Sequence, residues 1–274
     1  MGRPNYFASD EVAARYERVR PFFHDRVATQ IRDWCGSARL RHALDVGCGT
    51  GQSATALAAI AERVTALDAS AEMIARAAGG ANVEYKVGVA EQLPFAAGEF
   101  DLVTAGSALH WFDQRRFFGE CRRVLLACGV VAVYNDHFTT HMEGSPAFHR
   151  WMRVGYGNRY PPVRGLKDLD REAAAAAGFQ VAQATSFNHV VRLSASELST
   201  YLLTRSTTLA AIHTGRATVD GVAEWLGQEL RELLPDGVVG AFLFKCNVWL
   251  LRRRPAVGQT QGGEDEGWDR AGGT

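Results

Sequence analysis

The sequence predicts an α/β protein built on a doubly wound parallel sheet. Two observations carry that expectation. Short apolar runs alternate with helical segments through the first half of the chain, the pattern of a parallel sheet with helices on both faces. The first run, Ala43-Leu44-Asp45-Val46, leads straight into Gly47, Gly49 and Gly51 and then into an apolar helical stretch (Ala54, Leu57, Ala58, Ile60). Strand, tight turn and helix start in that order place bare backbone at the sheet edge where ligands of such folds bind.

The other elements follow in order. Glu11 to Trp34 is expected to be helical, interrupted at Arg20-Pro21, because proline breaks or restarts a helix. Val64-Thr65-Ala66-Leu67-Asp68 is a second strand ending in a carboxylate, and Ser70 caps a helix over Ala71 to Ala78. Val83 to Val87 is a third strand. Phe100 to Ala105 is a buried fourth, Phe117 to Leu125 a helix and Gly129 to Tyr134 a fifth strand.

Beyond Tyr134 the pattern changes. Ser145 to Arg153 reads as a helix with Pro146 in its first turn, and Tyr156 to Gly165 as a mobile loop. Asp168 to Ala177 is a helix stopped by Gly178, and Phe179 to Leu193 a long strand. Helices follow at Ser196 to His213 and Thr218 to Leu234, then a closing strand from Gly240 to Leu251. The Gly-rich, acidic stretch 256–274 reads as a disordered tail.

Four motifs carry chemistry. In Asp45-Val46-Gly47-Cys48-Gly49-Thr50-Gly51-Gln52 the third glycine comes one place too early for a dinucleotide fingerprint, whose sixth position is Gln52 here. Asp68 is placed to accept hydrogen bonds from vicinal ribose hydroxyls; the plainer reading is a helix cap, a task Ser70 takes over. Gly88-Val89-Ala90-Glu91-Gln92-Leu93-Pro94-Phe95 follows the third strand, and Gly106-Ser107-Ala108-Leu109-His110-Trp111-Phe112 the fourth.

These motifs resemble, in order and spacing, those of the class I S-adenosylmethionine-dependent methyltransferases, in the type 11 and trans-aconitate methyltransferase-like group. The resemblance covers about Tyr6 to Asp136. It implies a Rossmann-like, doubly wound, seven-stranded sheet with the last strand antiparallel and a helical cap insertion. The division it implies is a helical lid segment at 1–35, a cofactor-binding core at 36–136, and a cap with the terminal strands at 137–255. It also implies S-adenosyl-L-methionine as cofactor, held by Asp45, Gly47, Gly49, Gly51, Gln52, Asp68, Ala69, Ala90, Glu91 and Ser107. The family's frequent aspartate is Val89 here, which leaves Glu91 or a backbone carbonyl to receive the adenine amino group.

Tyr16 to Pro21 is similar to the Tyr-x-x-x-Arg-Pro lead-in of small-molecule methyltransferases, so Tyr16 and Arg20 are candidates for contact with cofactor or acceptor. The alternative is that Tyr16 packs and Arg20 caps a helix. Trp111 and His137 are further acceptor-side candidates. His110, just past the fourth strand, is the candidate general base, since imidazole titrates near neutrality; the alternative is a pocket wall. His141 and His149 read as surface or cap residues.

Composition narrows the function. Thirty basic and 30 acidic residues balance, and no basic stripe appears, which argues against a nucleic-acid substrate. Five cysteines without framework spacing suit reduced thiols, and no Cys-x-x-Cys pair or His/Cys cluster suggests a metal. No apolar stretch is long enough to span a bilayer or form a signal peptide, so a cytoplasmic protein, monomer or homodimer, is expected. The expected reaction is methyl transfer to a small molecule, either a carboxylic acid, which would call on cap arginines such as Arg153, Arg159, Arg164 and Arg205, or a phenol or natural-product scaffold. The competing reading is a non-catalytic module that binds the cofactor or its demethylated product and acts through a protein partner.

Overall fold

The computed structural model describes residues 9–36, 40–163 and 168–254. The expectations for Tyr6, Arg164 and the tail 256–274 fall outside these residues. Two helices, α1 (Asp10–Val19) and α2 (His24–Cys35), precede the sheet and part at Arg20-Pro21 as expected. The strands are β1 (Leu40–Val46), β2 (Ala61–Asp68), β3 (Val83–Val87), β4 (Phe100–Gly106), β5 (Leu125–Met142), β6 (Phe179–Ser194) and β7 (Val239–Arg253). They form one seven-stranded sheet in the order β3-β2-β1-β4-β5-β7-β6. β1 to β5 are parallel, and β7 runs antiparallel to both of its neighbours. This is the doubly wound, Rossmann-like architecture the sequence predicts.

The connecting helices are α3 (Gln52–Leu57), α4 (Ala71–Ala75) and α5 (Gln114–Val124). Residues of β1 alternate between two cores. Ala43 packs with Val27, Ile31 and Leu57 on one face, and Leu44 and Val46 pack with Phe117 and Phe118 on the other. A strand buried on both faces reads as a continuous apolar run, which is why β1 is legible in sequence.

The carboxyl-terminal half departs from expectation in three places. β5 runs to Met142, well beyond Tyr134, because β7 pairs with it from Val130 to Met142, with a register shift at Phe138/His141. Thr140 absorbs that shift with φ of 65°. The stretch expected to be a mobile loop from Tyr156 begins as helix: α6 (Pro146–Trp151) continues through a π-turn (Met152–Tyr156) into α7 (Gly157–Arg159), and the chain leaves the helix at Tyr160. Tyr156 and Tyr160 are each only 2% exposed and anchor it. The helix expected from Ser196 to His213 is two helices, α9 (Ala195–Leu203) and α10 (Ser206–His213), after α8 (Arg171–Ala176). The break falls at Thr204, whose hydroxyl bonds back to the Tyr201 carbonyl at 2.8 Å, a competitor to the helical ladder.

With α11 (Val219–Leu233), these helices build a third core on the overhanging ends of β5, β6 and β7. Phe138, Phe148, Tyr201, Leu226, Phe242 and Phe244 share it. The cap thus stands above the carboxyl ends of the parallel strands. Among the described residues, no helix is long and apolar enough to cross a membrane.

Candidate active site

A cavity of about 1230 Å³ opens at the carboxyl ends of β1, β2, β4 and β5, beneath the cap. Single small ligands occupy pockets of roughly 300–1000 Å³, so this one has room for a cofactor and a second molecule side by side. It lies where the strand order reverses between β1 and β4, the position doubly wound sheets use for ligands.

One wall is backbone. Gly47, Gly49 and Gly51 all have positive φ. Gly47 is the constrained one: a Cβ there would stand 2.5 Å from the Ala108 Cβ. At Gly49 the nearest neighbour of such a Cβ would be the Tyr16 ring, at 3.9 Å, so this stretch of main chain lies open beneath Tyr16. The amides of Gly47 and Cys48 donate to the Leu67 carbonyl of β2 at 2.7 and 3.1 Å, and the amide of Gly49 donates to Asp68 Oδ2 at 2.9 Å.

Asp68 is therefore less free than the sequence reading supposes. Its Oδ1 accepts the Ser70 amide at 2.9 Å while Ser70 caps α4 through the Met73 amide. Burial raises the Asp68 carboxyl, and the amides of Ser70, Gly49 and Ala69 pull it back. Each carboxylate oxygen keeps a second lone pair. One carboxylate thus fixes the glycine loop and still presents acceptors to the cavity it lines.

Twelve of the fifteen expected site residues line the cavity: Gly47, Gly49, Asp68, Ala69, Ala90, Glu91, Ser107, His110, Trp111, Tyr16, Arg20 and His137. Asp45, Gly51 and Gln52 stand outside that lining. Asp45 is completely buried. Its Oδ1 accepts from Thr104 at 2.6 Å and its Oδ2 from Ser53, so it braces β1 against β4 and the start of α3. Burial lifts this carboxyl to about 6 despite both donors. A Cβ on Gly51 would strike the Tyr85 hydroxyl at 2.3 Å, so this glycine serves close packing. Gln52 opens α3 and bears on the buried His24, whose pKa it works to raise.

Glu91 keeps its place on the wall with one oxygen committed: Oε1 accepts the Asp113 amide at 2.8 Å. Ser107 sits at the end of β4 with φ of 51°, its amide bonded to the Tyr134 carbonyl and its hydroxyl accepting from the Asp136 amide. A non-glycine residue in the left-handed region at a cavity wall is costly and needs support from its surroundings. These two hydrogen bonds supply it and tie the ends of β4 and β5 together.

The opposite wall is ionic. His137 Nε2 and Asp168 Oδ2 are 2.9 Å apart, and Asn135 Nδ2 donates to Asp168 Oδ1 at 2.6 Å. The hydrogen bond His137 donates to Asp168 holds the imidazole above its ordinary value and in turn holds the Asp168 carboxyl down. His137 is thus an imidazole committed to Asp168 and biased toward its charged form. One strand position earlier, Asp136 Oδ1 pairs with His189 Nε2 of β6 at 2.8 Å. His110 lies on the turn after β4, its ring 4.9 Å from that of Trp111, within electrostatic reach of Asp168. Arg20 lies over the Tyr16 ring at 4.5 Å and donates to the Thr204 carbonyl at 2.9 Å, so α1 is fastened to the cap. Sequence reasoning gave Asp168 only a place at the start of a helix. No motif surrounds it, and its partners lie 31 and 33 residues away.

The family model described as "Methyltransferase domain" matches residues 44–133. A provisionally assigned methyltransferase of Dictyostelium discoideum is 31% identical over 124 residues, 45% of this chain and 47% of that protein. The chain spans about half the length of the curated relatives it matches first. A provisionally assigned type II methyltransferase from Anaeromyxobacter dehalogenans shares the fold at TM-score 0.64 and 24% identity, covering 86% of this chain and 99% of that one. Phosphoethanolamine N-methyltransferase 2 of Haemonchus contortus, solved with phosphomonomethylethanolamine and S-adenosylhomocysteine, shares the fold at TM-score 0.52 and 19% identity, covering 91% and 59%. Residues 44–133 thus match a methyltransferase domain, and with its glycine loop, its strand-end carboxylate and this fold the chain is similar to the class I S-adenosylmethionine-dependent methyltransferases.

Proposed function

We propose that this chain moves the methyl group of S-adenosyl-L-methionine to an oxygen or nitrogen of a small-molecule acceptor by in-line displacement. The observation that carries the reading is the single cavity in which the open Gly49 backbone and Asp68 face a wall of charged side chains. The residues fit the cofactor: Gly49 leaves room for main-chain approach, Gly47 lets the loop pack tightly on Ala108, Asp68 offers acceptors for two ribose hydroxyls, and Ala90 and Glu91 flank the next loop. When bound, the cofactor supplies a methyl group already activated on a sulfonium.

The protein's own work is positional. Holding an acceptor in line, in contact, is worth about 7–11 kcal/mol of barrier. Trp111 and Phe138 give that half of the cavity aromatic faces, and the cap with α1 screens it from water. Where the acceptor must lose a proton, His110 is the group to take it, since His137 is committed to Asp168. A base of this kind contributes about 10²–10⁴-fold.

The test has two readouts. Calorimetry with S-adenosylhomocysteine should show one site per chain, and labelled cofactor should pass its methyl group to an acceptor among small acids, phenols and amines. His110→Ala should then slow turnover by about 10²-fold or more with a proton-bearing acceptor, with cofactor affinity near that of the wild type. A chain that binds no S-adenosylhomocysteine overturns the proposal. Cofactor binding with no product from any acceptor class favours the non-catalytic module instead.

A further inference from the structure

The cap wall carries a cation that nothing among the described residues neutralises. Arg205 stands at the break between α9 and α10 and lines the cavity. Its guanidinium lies 5.9 Å from the Phe138 ring centre and 5.8 Å from that of Tyr156. Among the described residues it makes no side-chain hydrogen bond and no ion pair. The carboxylates that share this wall are already engaged: Asp136 by His189, and Asp168 by His137 and Asn135.

A second guanidinium adjoins it. Arg20 donates to the carbonyl of Thr204, the residue before Arg205, while its Nε is buried without a partner. Burial raises the Tyr201 phenol, and Arg20 and Arg205 both work against that rise, so both cations bear on one point of the wall. Arg20 and Arg205 face Asp136 and Asp168, each of which already pairs with a histidine, His189 and His137. The imbalance is positive in a half-buried place, where an uncompensated charge is costly. Aromatic faces offset part of that cost and pre-orient the planar fork. Such a fork matches the two oxygens of a carboxylate or phosphate.

We infer that the methyl acceptor is anchored by an oxyanion, a carboxylate or a phosphate group, seated on Arg205 beside His137. The inference rests on the methyltransferase reading of the same cavity and adds the chemical class of the acceptor. Arg205 acts as a specificity-determining residue, holding a part of the acceptor other than the atom that takes the methyl group. Arg20 closes the site from the α1 side.

The experiment is calorimetry on full-length protein loaded with S-adenosylhomocysteine. Succinate, its neutral diamide succinamide, and inorganic phosphate are titrated separately into wild type, R205Q and R205K, with melting temperatures recorded for each. Wild type should bind succinate or phosphate at one site, and which of the two binds tells a carboxylate anchor from a phosphate anchor. R205Q should weaken that binding by about 10- to 100-fold, the worth of a charged hydrogen-bonded contact. R205K, which keeps the charge without the fork, should fall between. The affinity for S-adenosylhomocysteine should not move.

If neither anion binds, or succinamide binds as well as succinate, the proposal is overturned. Equal binding by a folded R205Q also overturns it; should R205Q fail to melt cooperatively, R205K decides, and wild-type affinity in R205K is the overturning result. Loading with S-adenosylhomocysteine is read on its own, so its failure counts against the methyltransferase reading. Anion failure in a loaded protein counts against the anchor alone.

Discussion

The glycine-loop wall and the cap wall of one cavity are built by opposite means. On the first, main-chain amides and one carboxylate satisfy each other over short separations: Gly49 and Asp68 are 19 residues apart, Asp68 and Ser70 two. On the second, side chains meet from across the chain: His137 with Asp168 at 31 residues, Asp136 with His189 at 53, and Arg20 with Thr204 at 184. Short-range backbone geometry suits a ligand that does not vary within a family. Long-range side-chain assembly allows a second ligand to differ while the sheet below stays the same. The first wall should therefore be intolerant of change, and the second tolerant in fold while sensitive in charge.

The harshest test of that contrast is Gly47→Ala. The substitution forces a side chain into φ of 72° and sets its Cβ 2.5 Å from the Ala108 Cβ. A left-handed alanine costs about 1–2 kcal/mol, and overpacking adds about 1–3. Denaturant melts should show a loss of about 2–5 kcal/mol, and S-adenosylhomocysteine affinity should fall by at least about a hundredfold, since about 3 kcal/mol lost from the bound geometry is that factor. A variant as stable as wild type with unchanged affinity would dissolve the distinction between the two walls.

The same contrast explains what the sequence discloses. β1, β2 and β4, the glycine turn and Asp68 are legible because their signals lie within a few residues of one another. What Asp45 does was not legible. An acid two places before the loop looks like a ligand, and only the placement of Thr104 and Ser53 around it shows a brace. The extension of β5 escaped notice because its pairing partner lies about a hundred residues downstream, as with Phe138 opposite Phe244. Tyr156 and Tyr160 sit among Gly, Pro and Asn, which signal a loop, yet the core of the cap claims both rings. Asp168 and the fork of Arg205 had no local pattern to announce them.

A second test probes the floor beneath the glycine loop through pH. His24 Nδ1 lies 3.1 Å from the Tyr134 hydroxyl, and burial lowers this imidazole to about 4. The unfolded chain protonates His24 near its ordinary value of 6.5, so stability from this residue is lost as pH falls from there to about 4. Asp45 has the opposite sign. Its folded pKa of about 6 exceeds the ordinary 3.8, so the fold takes up a proton first and gains stability as pH falls through that window. Each amounts to about 3 kcal/mol, and in wild type they offset. Asp45→Asn should expose the His24 effect. Between pH 6.5 and 4.5 the variant should lose about 2 kcal/mol more than wild type in urea unfolding. Parallel pH profiles would mean that the two groups do not titrate as their burial dictates.

The mildest change belongs on the cap wall, at Asp168→Asn. The pair it breaks is 42% exposed at His137 and 38% at Asp168, so water screens it and its removal should cost under about 1 kcal/mol. The electrostatic consequence is larger than the structural one. His137 is raised by its bond to Asp168, so in wild type its share of stability is present below the ordinary imidazole range and lost as pH rises through the elevated folded value. The lowered carboxyl of Asp168 contributes above the ordinary carboxylate range and loses its share as pH falls through the depressed one. Between these limits the pair is formed and His137 is the cation Arg205 has for a neighbour. Asparagine keeps the shape and a hydrogen-bonding oxygen but not the charge. The His137 ring signal, followed by NMR against pH, should therefore titrate at a lower midpoint in the variant, while the melting curve scarcely shifts. A midpoint that stays put would leave His137 without its charging partner. A stability loss rivalling that of Gly47→Ala would show the cap wall to be as rigid as the loop it faces.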